Sequence, residues 1–166
     1  MKSLGLLLTS LSLLTACATT PATSKSAATH LAAVDHYVAA WNEHDSASAA
    51  AFLDEKVEYF DATTAEPQIG RRNAQKNIIQ AFISAVPDLV WRREASAPIV
   101  SSDGVAFQWT FSGTNTGNWS DGTKATNRKF SIHGATLMRF TADGKIAYQG
   151  DYYDAYGFYK QLGLAQ

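Results

Sequence analysis

Apolar residues recur along the first part of the chain at Leu31, Val34, Val38 and Trp41, with Tyr37 flanking them. Steps of three and four place these side chains on one side of a helix, predicted over residues 30–44 with Thr29 at the N-cap. Asp45 or Ser46 can cap a second, short helix over 47–53. Residues 56–61 (KVEYFD) alternate and carry aromatic and β-branched side chains, the pattern of a strand. Ile78, Ile79, Phe82, Ile83 and Val86 form another helical stripe, which Pro87 ends. After Pro87 the period changes to two, and strands are predicted over 89–95, 105–112, 130–140 and 146–153. Ala142-Asp143-Gly144 supplies a hairpin turn between the last two, and residues 115–127 form a Gly/Asn/Ser/Thr-rich loop carrying Trp119. A short helix over 154–162 closes the chain. Helices followed by a long meander argue for an α+β domain, with the helices on one face of a curved antiparallel sheet.

The segment before this pattern reads differently. A basic start, Met1-Lys2, precedes an apolar run over 4–14 that is too short to cross a bilayer, which takes about 20 residues. That is the layout of a secretory signal. The run ends in Leu14-Thr15-Ala16-Cys17, which resembles the lipobox of bacterial lipoproteins. The resemblance implies cleavage before Cys17 and lipid on its thiol, hence a membrane anchor. Ala18 stands where an inner-membrane retention signal would have Asp, so the expected location is the outer membrane, facing the periplasm. Three segments follow from this: a signal peptide over 1–16, a flexible Ala/Ser/Thr tether over 17–29, and a folded domain over 30–166.

Composition narrows the chemistry. The 166 residues are 46% hydrophobic and 17% charged, an ordinary globular balance that excludes disorder of the whole chain. A net charge of −1 gives no basic excess for nucleic acid. The single cysteine excludes an intrachain disulfide and a cysteine zinc site. The four histidines have neither HxH nor HExxH spacing; His36 lies opposite the apolar stripe, and His133 shares a strand face with Ala135, Leu137 and Arg139. No GxSxG turn, GxGxxG loop or Walker-type loop is present, which leaves no nucleophile elbow and no nucleotide cradle. Asn118-Trp119-Ser120 matches a glycosylation acceptor, a reading that a bacterial-type signal outweighs.

Carboxylates remain. Asp61 ends a predicted strand after Tyr59-Phe60, and Asp151 lies near the end of the last one, within Gln149-Gly150-Asp151-Tyr152-Tyr153-Asp154. Each is either a rim charge at a strand end or a carboxylate facing an apolar pocket, where desolvation raises its pKa toward that of a proton shuttle. Gln149 and Tyr153 share the strand face of Asp151 and can hydrogen-bond a polar substrate.

Taken together, Trp41-Asn42-Glu43-His44-Asp45, Gly70-Arg71, Pro87-Asp88-Leu89, Gln108-Trp109-Thr110, Gly113-Thr114-Asn115-Thr116-Gly117, Leu137-Met138-Arg139-Phe140, Asp143-Gly144-Lys145-Ile146 and Gln161-Leu162-Gly163-Leu164 resemble the SnoaL-like polyketide cyclase branch of the nuclear transport factor 2-like superfamily. The resemblance runs from about residue 31 to 164. It implies a cone: a strongly curved sheet wrapped against N-terminal helices and enclosing an apolar cavity, with no metal and no organic cofactor. It also implies that Asp151 is the general acid/base. Two cavity histidines of the cyclases fall on Thr136 and Gln149 here, and a pocket glutamine falls on Gly134. The wall at Gly134 and Thr136 is therefore expected to be more open and to fit another ligand.

The expected function is a cofactor-independent acid/base enzyme of cyclase, isomerase or lyase type, acting on a small apolar carbonyl compound. Asp151 is its catalytic residue, and Tyr37, Trp41, Tyr59, Asp61, Trp109, Gln149 and Tyr153 bind substrate. Two alternatives stand beside it. One is a non-catalytic module holding a lipid or apolar metabolite. The other is a partner-binding domain that forms a homodimer through its sheet.

Overall fold

The computed structural model describes residues 23–165. The signal segment and the lipidation candidate Cys17 lie outside the described residues. Helix α1 (Thr23–Asn42) is followed by α2 (Ser46–Ala50), β1 (Leu53–Asp61) and β2 (Gln68–Ile69). Next come α3 (Arg71–Ala74), a π-helical turn (Gln75–Ile79) and α4 (Gln80–Ala85), which run on as one helical segment. Strands β3 (Val90–Arg93), β4 (Ile99–Val100), β5 (Gly104–Thr114), β6 (Lys129–Phe140) and β7 (Ile146–Tyr153) follow, and α5 (Ala155–Leu162) ends the domain.

The α+β reading holds, with one curved sheet packed against helices. Its strand order is β2-β1-β7-β6-β5-β3, with β4 also on β5. The sheet is open, with β2 and β3 at its edges. It is also not wholly antiparallel, because β1 and β7 pair in parallel. Hairpin constraints fix only neighbours in sequence; β1 and β7 are joined by a long crossover through helices and the meander, which permits a parallel pair.

Several boundaries differ from the pattern. Helix α1 starts at Thr23, so Thr29 is not its N-cap and residues 23–29 of the expected tether are helical. The alanines around Thr29 favour helix even where no apolar stripe is present. Helix α2 stops at Ala50, and Leu53, predicted as its end, opens β1. The stripe at Ile78 and Ile79 begins seven residues after the helical segment does, and the π-turn lets both adjacent isoleucines face the core. Asp45 caps α2 through the Ala47 and Ser48 amides, and Asp154 caps α5 through the Gly157 amide.

Several of the short motifs that carry the resemblance act as clamps on the backbone. Asn42 donates from Nδ2 to the Trp91 carbonyl at 2.8 Å and accepts the Trp91 amide at 2.7 Å, so one side chain satisfies both polar groups of an edge-strand residue. Asp88 accepts the amide and hydroxyl of Thr114 at 2.6 and 2.7 Å. Buried Asn115 bonds the Ala85 and Gly117 carbonyls and the Thr126 amide, tying the loop after β5 to the end of α4. These anchors hold the helices over the inner face of the sheet. The core lies there, among Val34, Tyr37, Trp41, Ile79, Phe82, Trp91, Phe107, Trp109 and Phe111.

Candidate active site

Alternation on the strands sorts the inner face into rows across the sheet. Phe107 on β5 lies opposite Thr136 on β6, Thr136 opposite Asp151 on β7, and Asp151 opposite Asp61 on β1. One row away stand Met138, Gln149 and Tyr59; on the other side stand Trp109, Gly134 and Tyr153. His133, Leu137 and Arg139, on the opposite face of β6, are exposed.

Asp151 is 5% exposed and accepts three hydrogen bonds. Tyr59 Oη donates to Oδ2 at 2.7 Å, Gln149 Nε2 donates to Oδ2 at 3.0 Å, and Thr136 Oγ1 donates to Oδ1 at 2.5 Å. Gln149 Nε2 also reaches the Tyr59 hydroxyl at 2.7 Å. Thr136 is itself held by Trp109, whose Nε1 donates to Oγ1 at 2.7 Å. Burial, with the Asp61 charge on the next strand, pushes the Asp151 carboxyl up to about 7 against the pull of its three donors. Asp61 accepts the Tyr153 hydroxyl at 2.9 Å and the Thr63 hydroxyl at 2.5 Å, and burial raises its pKa as well. Burial first, and then the Asp151 charge, hold Tyr59 well above the usual phenol range, so its hydroxyl stays a donor.

A small pocket opens over this row. Trp41, Tyr59, Asp61, Phe82, Trp91, Trp109, Phe111, Ile132, Asp151 and Tyr153 line it. Measured to the centre of a water-sized sphere its volume is about 30 Å³, room for roughly two waters. Asp151 can exchange a proton near neutral pH at the base of an aromatic wall that carries no Lys, Arg or His among the described residues.

The structure places six of the eight expected site residues in the lining: Trp41, Tyr59, Asp61, Trp109, Asp151 and Tyr153. Tyr37 and Gln149 do not line it. Both are fully buried behind the wall, and Gln149 acts on Asp151 rather than on the open space. The wall at Gly134 is not open either. A Cβ there would come within 2.4 Å of the Trp109 ring, so the indole fills the space that a larger residue at position 134 would take. Thr136, expected only to be smaller and more polar, is a direct partner of Asp151.

Phe111, on the same face of β5 as Trp109, completes the lining with Phe82, Trp91 and Ile132, and the last three were not singled out as substrate contacts. Their signal was the same alternation or stripe that marked the core; nothing in the pattern separates core from pocket wall. No group of three or more His, Cys, Asp or Glu among the described residues is arranged to hold a metal ion.

Solved structures share this architecture. TsrD from Streptomyces laurentii superposes with a TM-score of 0.67 at 26% identity, covering 82% of this chain and 96% of its own. AclR from Streptomyces galilaeus gives 0.68 at 23% identity, over 84% and 88%. A SnoaL-like protein of Jannaschia sp. CCS1 gives 0.71 at 13% identity, over 84% and 94%. No match was found among curated proteins. Residues 31–162, nearly all of the described domain, match the family model of the SnoaL-like polyketide cyclases, and the chain belongs to that family.

Proposed function

We propose that the protein is a cofactor-independent acid/base enzyme of cyclase, isomerase or lyase type, acting on a small apolar substrate that carries a carbonyl group. The carrying observation is Asp151, buried among three donors beneath an aromatic pocket and titrating near neutrality. The carboxylate takes a proton from the carbon α to the carbonyl, and the resulting acid returns it elsewhere on the product. Thr136 and Gln149 take over the positioning of this carboxylate, and Tyr59 reinforces it. The pocket lies between sheet and helices with room for about two waters, so binding a substrate of this kind requires it to widen.

The test pairs two substitutions. Asp151→Asn is expected to abolish turnover and keep ligand binding, because the amide cannot accept a proton. Asp154→Asn, at the cap of α5, is expected to change neither, since Asn caps as well as Asp. Equal turnover by wild type and Asp151→Asn, or binding of an apolar metabolite with no conversion by either, favours the non-catalytic binding module instead.

We place this domain at the envelope, lipid-anchored through Cys17 to the outer membrane and facing the periplasm, on the strength of Leu14-Thr15-Ala16-Cys17. Cys17→Ser is expected to leave an uncleaved or soluble species; a lipid-bearing, membrane-bound variant of mature mass contradicts the anchor. We assign homodimer contact to the outer face of the sheet, where Leu137 and Tyr152 are exposed, and sedimentation tests it.

A further inference from the structure

Phe82 lines two cavities. One is the pocket over Asp151, which has no room for a ring-bearing ketone as it stands. The other, measured in the same way, holds about 240 Å³. Two contacts tie the spaces together. Thr63, on the wall of the second, donates its hydroxyl to Asp61 on the wall of the first at 2.5 Å. Phe158, also on the second, meets Tyr153 of the first edge to face at 6.1 Å. Tyr159 lies on the second wall as well. Its phenol is raised by burial and then by the charges of Asp61 and Asp121, one carboxylate from each space.

The second cavity has an aromatic floor and a polar rim. Phe82 and Phe158 are buried, and each meets half-buried Trp119 edge to face, at 5.4 and 6.1 Å. Asn77, Ser120 and Asp121 are exposed at the rim. The Thr123 amide, and then its hydroxyl, hold the Asp121 carboxyl below the usual carboxylate range, so it is ionised at neutral pH. No Lys, Arg or His stands in the lining of either cavity among the described residues. An apolar ring is favoured on the floor, and a hydrogen-bond donor, not an acid, is favoured beside Asp121.

We infer that this second cavity is the outer half of the ligand site. It takes the part of an elongated, ring-bearing ketone for which the inner pocket has no room, and Asp121 accepts a hydroxyl or ammonium group at the outer end and repels an acid there. Phe82 becomes a specificity-determining residue, because a ligand that fills both spaces displaces its ring. The ketone end alone rests on the acid/base reading of Asp151.

The four tryptophans report the two halves separately: Trp41, Trp91 and Trp109 line the inner pocket and Trp119 the outer cavity. The test uses protein labelled with 5-fluorotryptophan, its ¹⁹F signals assigned by Trp→Phe substitution at each position. The probes are 4-acetylbiphenyls carrying a 4′-hydroxyl or a 4′-carboxylate. The hydroxyl compound is expected to move the Trp119 signal together with at least one of the other three. The carboxylate compound is expected to bind roughly five-fold or more weakly, and Asp121→Asn, which keeps an acceptor for the Thr123 amide, to erase most of that preference. Phe82→Ala is expected to tighten biphenyl binding; if that variant does not fold, the wild type and Asp121→Asn decide. A bound biphenyl that leaves Trp119 unmoved, equal affinity for the two compounds, or binding of neither overturns the inference. If ketone α-proton exchange in D₂O still depends on Asp151 in that case, the acid/base reading survives without the outer half. A moved Trp119 signal with the hydroxyl preference, but no Asp151-dependent exchange, supports the outer half and overturns the acid/base reading.

Discussion

Replacing Asp151 with Asn should change how stability depends on pH, and the size of the change follows from the site. The carboxyl titrates near 7 in the folded protein against an ordinary value of 3.8. Because the folded state holds this proton more tightly, its contribution is fully present below about pH 4 and is lost as pH rises through 7. The difference between the two values, at 1.36 kcal/mol per pH unit, is worth about 4 kcal/mol as an order of magnitude. Asn removes the titration but brings an N–H₂ into a shell where Tyr59, Gln149 and Thr136 all donate. One of these donors then loses its acceptor, at a cost of about 1–3 kcal/mol. The variant should therefore be the less stable protein at pH 4 and match or exceed wild type at pH 8. Asp61 is present in both proteins, so its own upward shift largely cancels in the difference. Urea unfolding of both proteins at several pH values from 4 to 8 measures this. A stability gap that stays constant across that range, or a wild type that gains on the variant as pH rises, refutes the electrostatic account of the site.

Three further substitutions probe the surroundings. Thr136→Val takes one donor from Asp151 and the acceptor from Trp109 Nε1; the Asp151 pKa should rise, moving the basic-form activity to higher pH, and stability should fall by about 1–3 kcal/mol in urea unfolding. Gly134→Ala places a Cβ against the Trp109 ring and near the Tyr152 carbonyl; a loss of about 1–3 kcal/mol is expected, with a changed tryptophan emission spectrum as the ring is displaced. Trp41→Ala removes an indole packed edge to face on Tyr37, Trp91 and Phe111; a cost of about 3–5 kcal/mol is expected by thermal or urea unfolding, and a loss under about 1 kcal/mol contradicts its place in the core.

Periodicity made most of this fold legible because it reports which face is buried. The alternation over 130–140 reads directly as β6, with Phe130, Ile132, Thr136, Met138 and Phe140 buried and His133, Leu137 and Arg139 exposed. Asp45 is one of two cap candidates for α2, legible because capping chemistry is local. Strands β2 and β4 were not legible, since two residues carry no period. The parallel β1–β7 pair was missed for a different reason: alternation is indifferent to strand direction. The same limit applies within the site. Facing residues on β7, Gln149, Asp151 and Tyr153, could be grouped from sequence. That Thr136 bonds Asp151, or that Trp109 lies over Gly134, depends on the register between neighbouring strands, which alternation does not give and which an irregularity at Arg139 and Phe140 shifts between β6 and β7.

Proton transfer by Asp151 is tested most directly by exchange of a ketone's α-protons in D₂O. An apolar cyclic ketone such as 2-tetralone is incubated at pD near 8, where Asp151 is mostly ionised, and its α-proton signals are followed by ¹H NMR with wild type, Asp151→Asn and buffer alone. The account predicts exchange by wild type well above the buffer rate, with Asp151→Asn reduced to that rate while it stays folded and still binds the ketone. Equal exchange by the two proteins would contradict it.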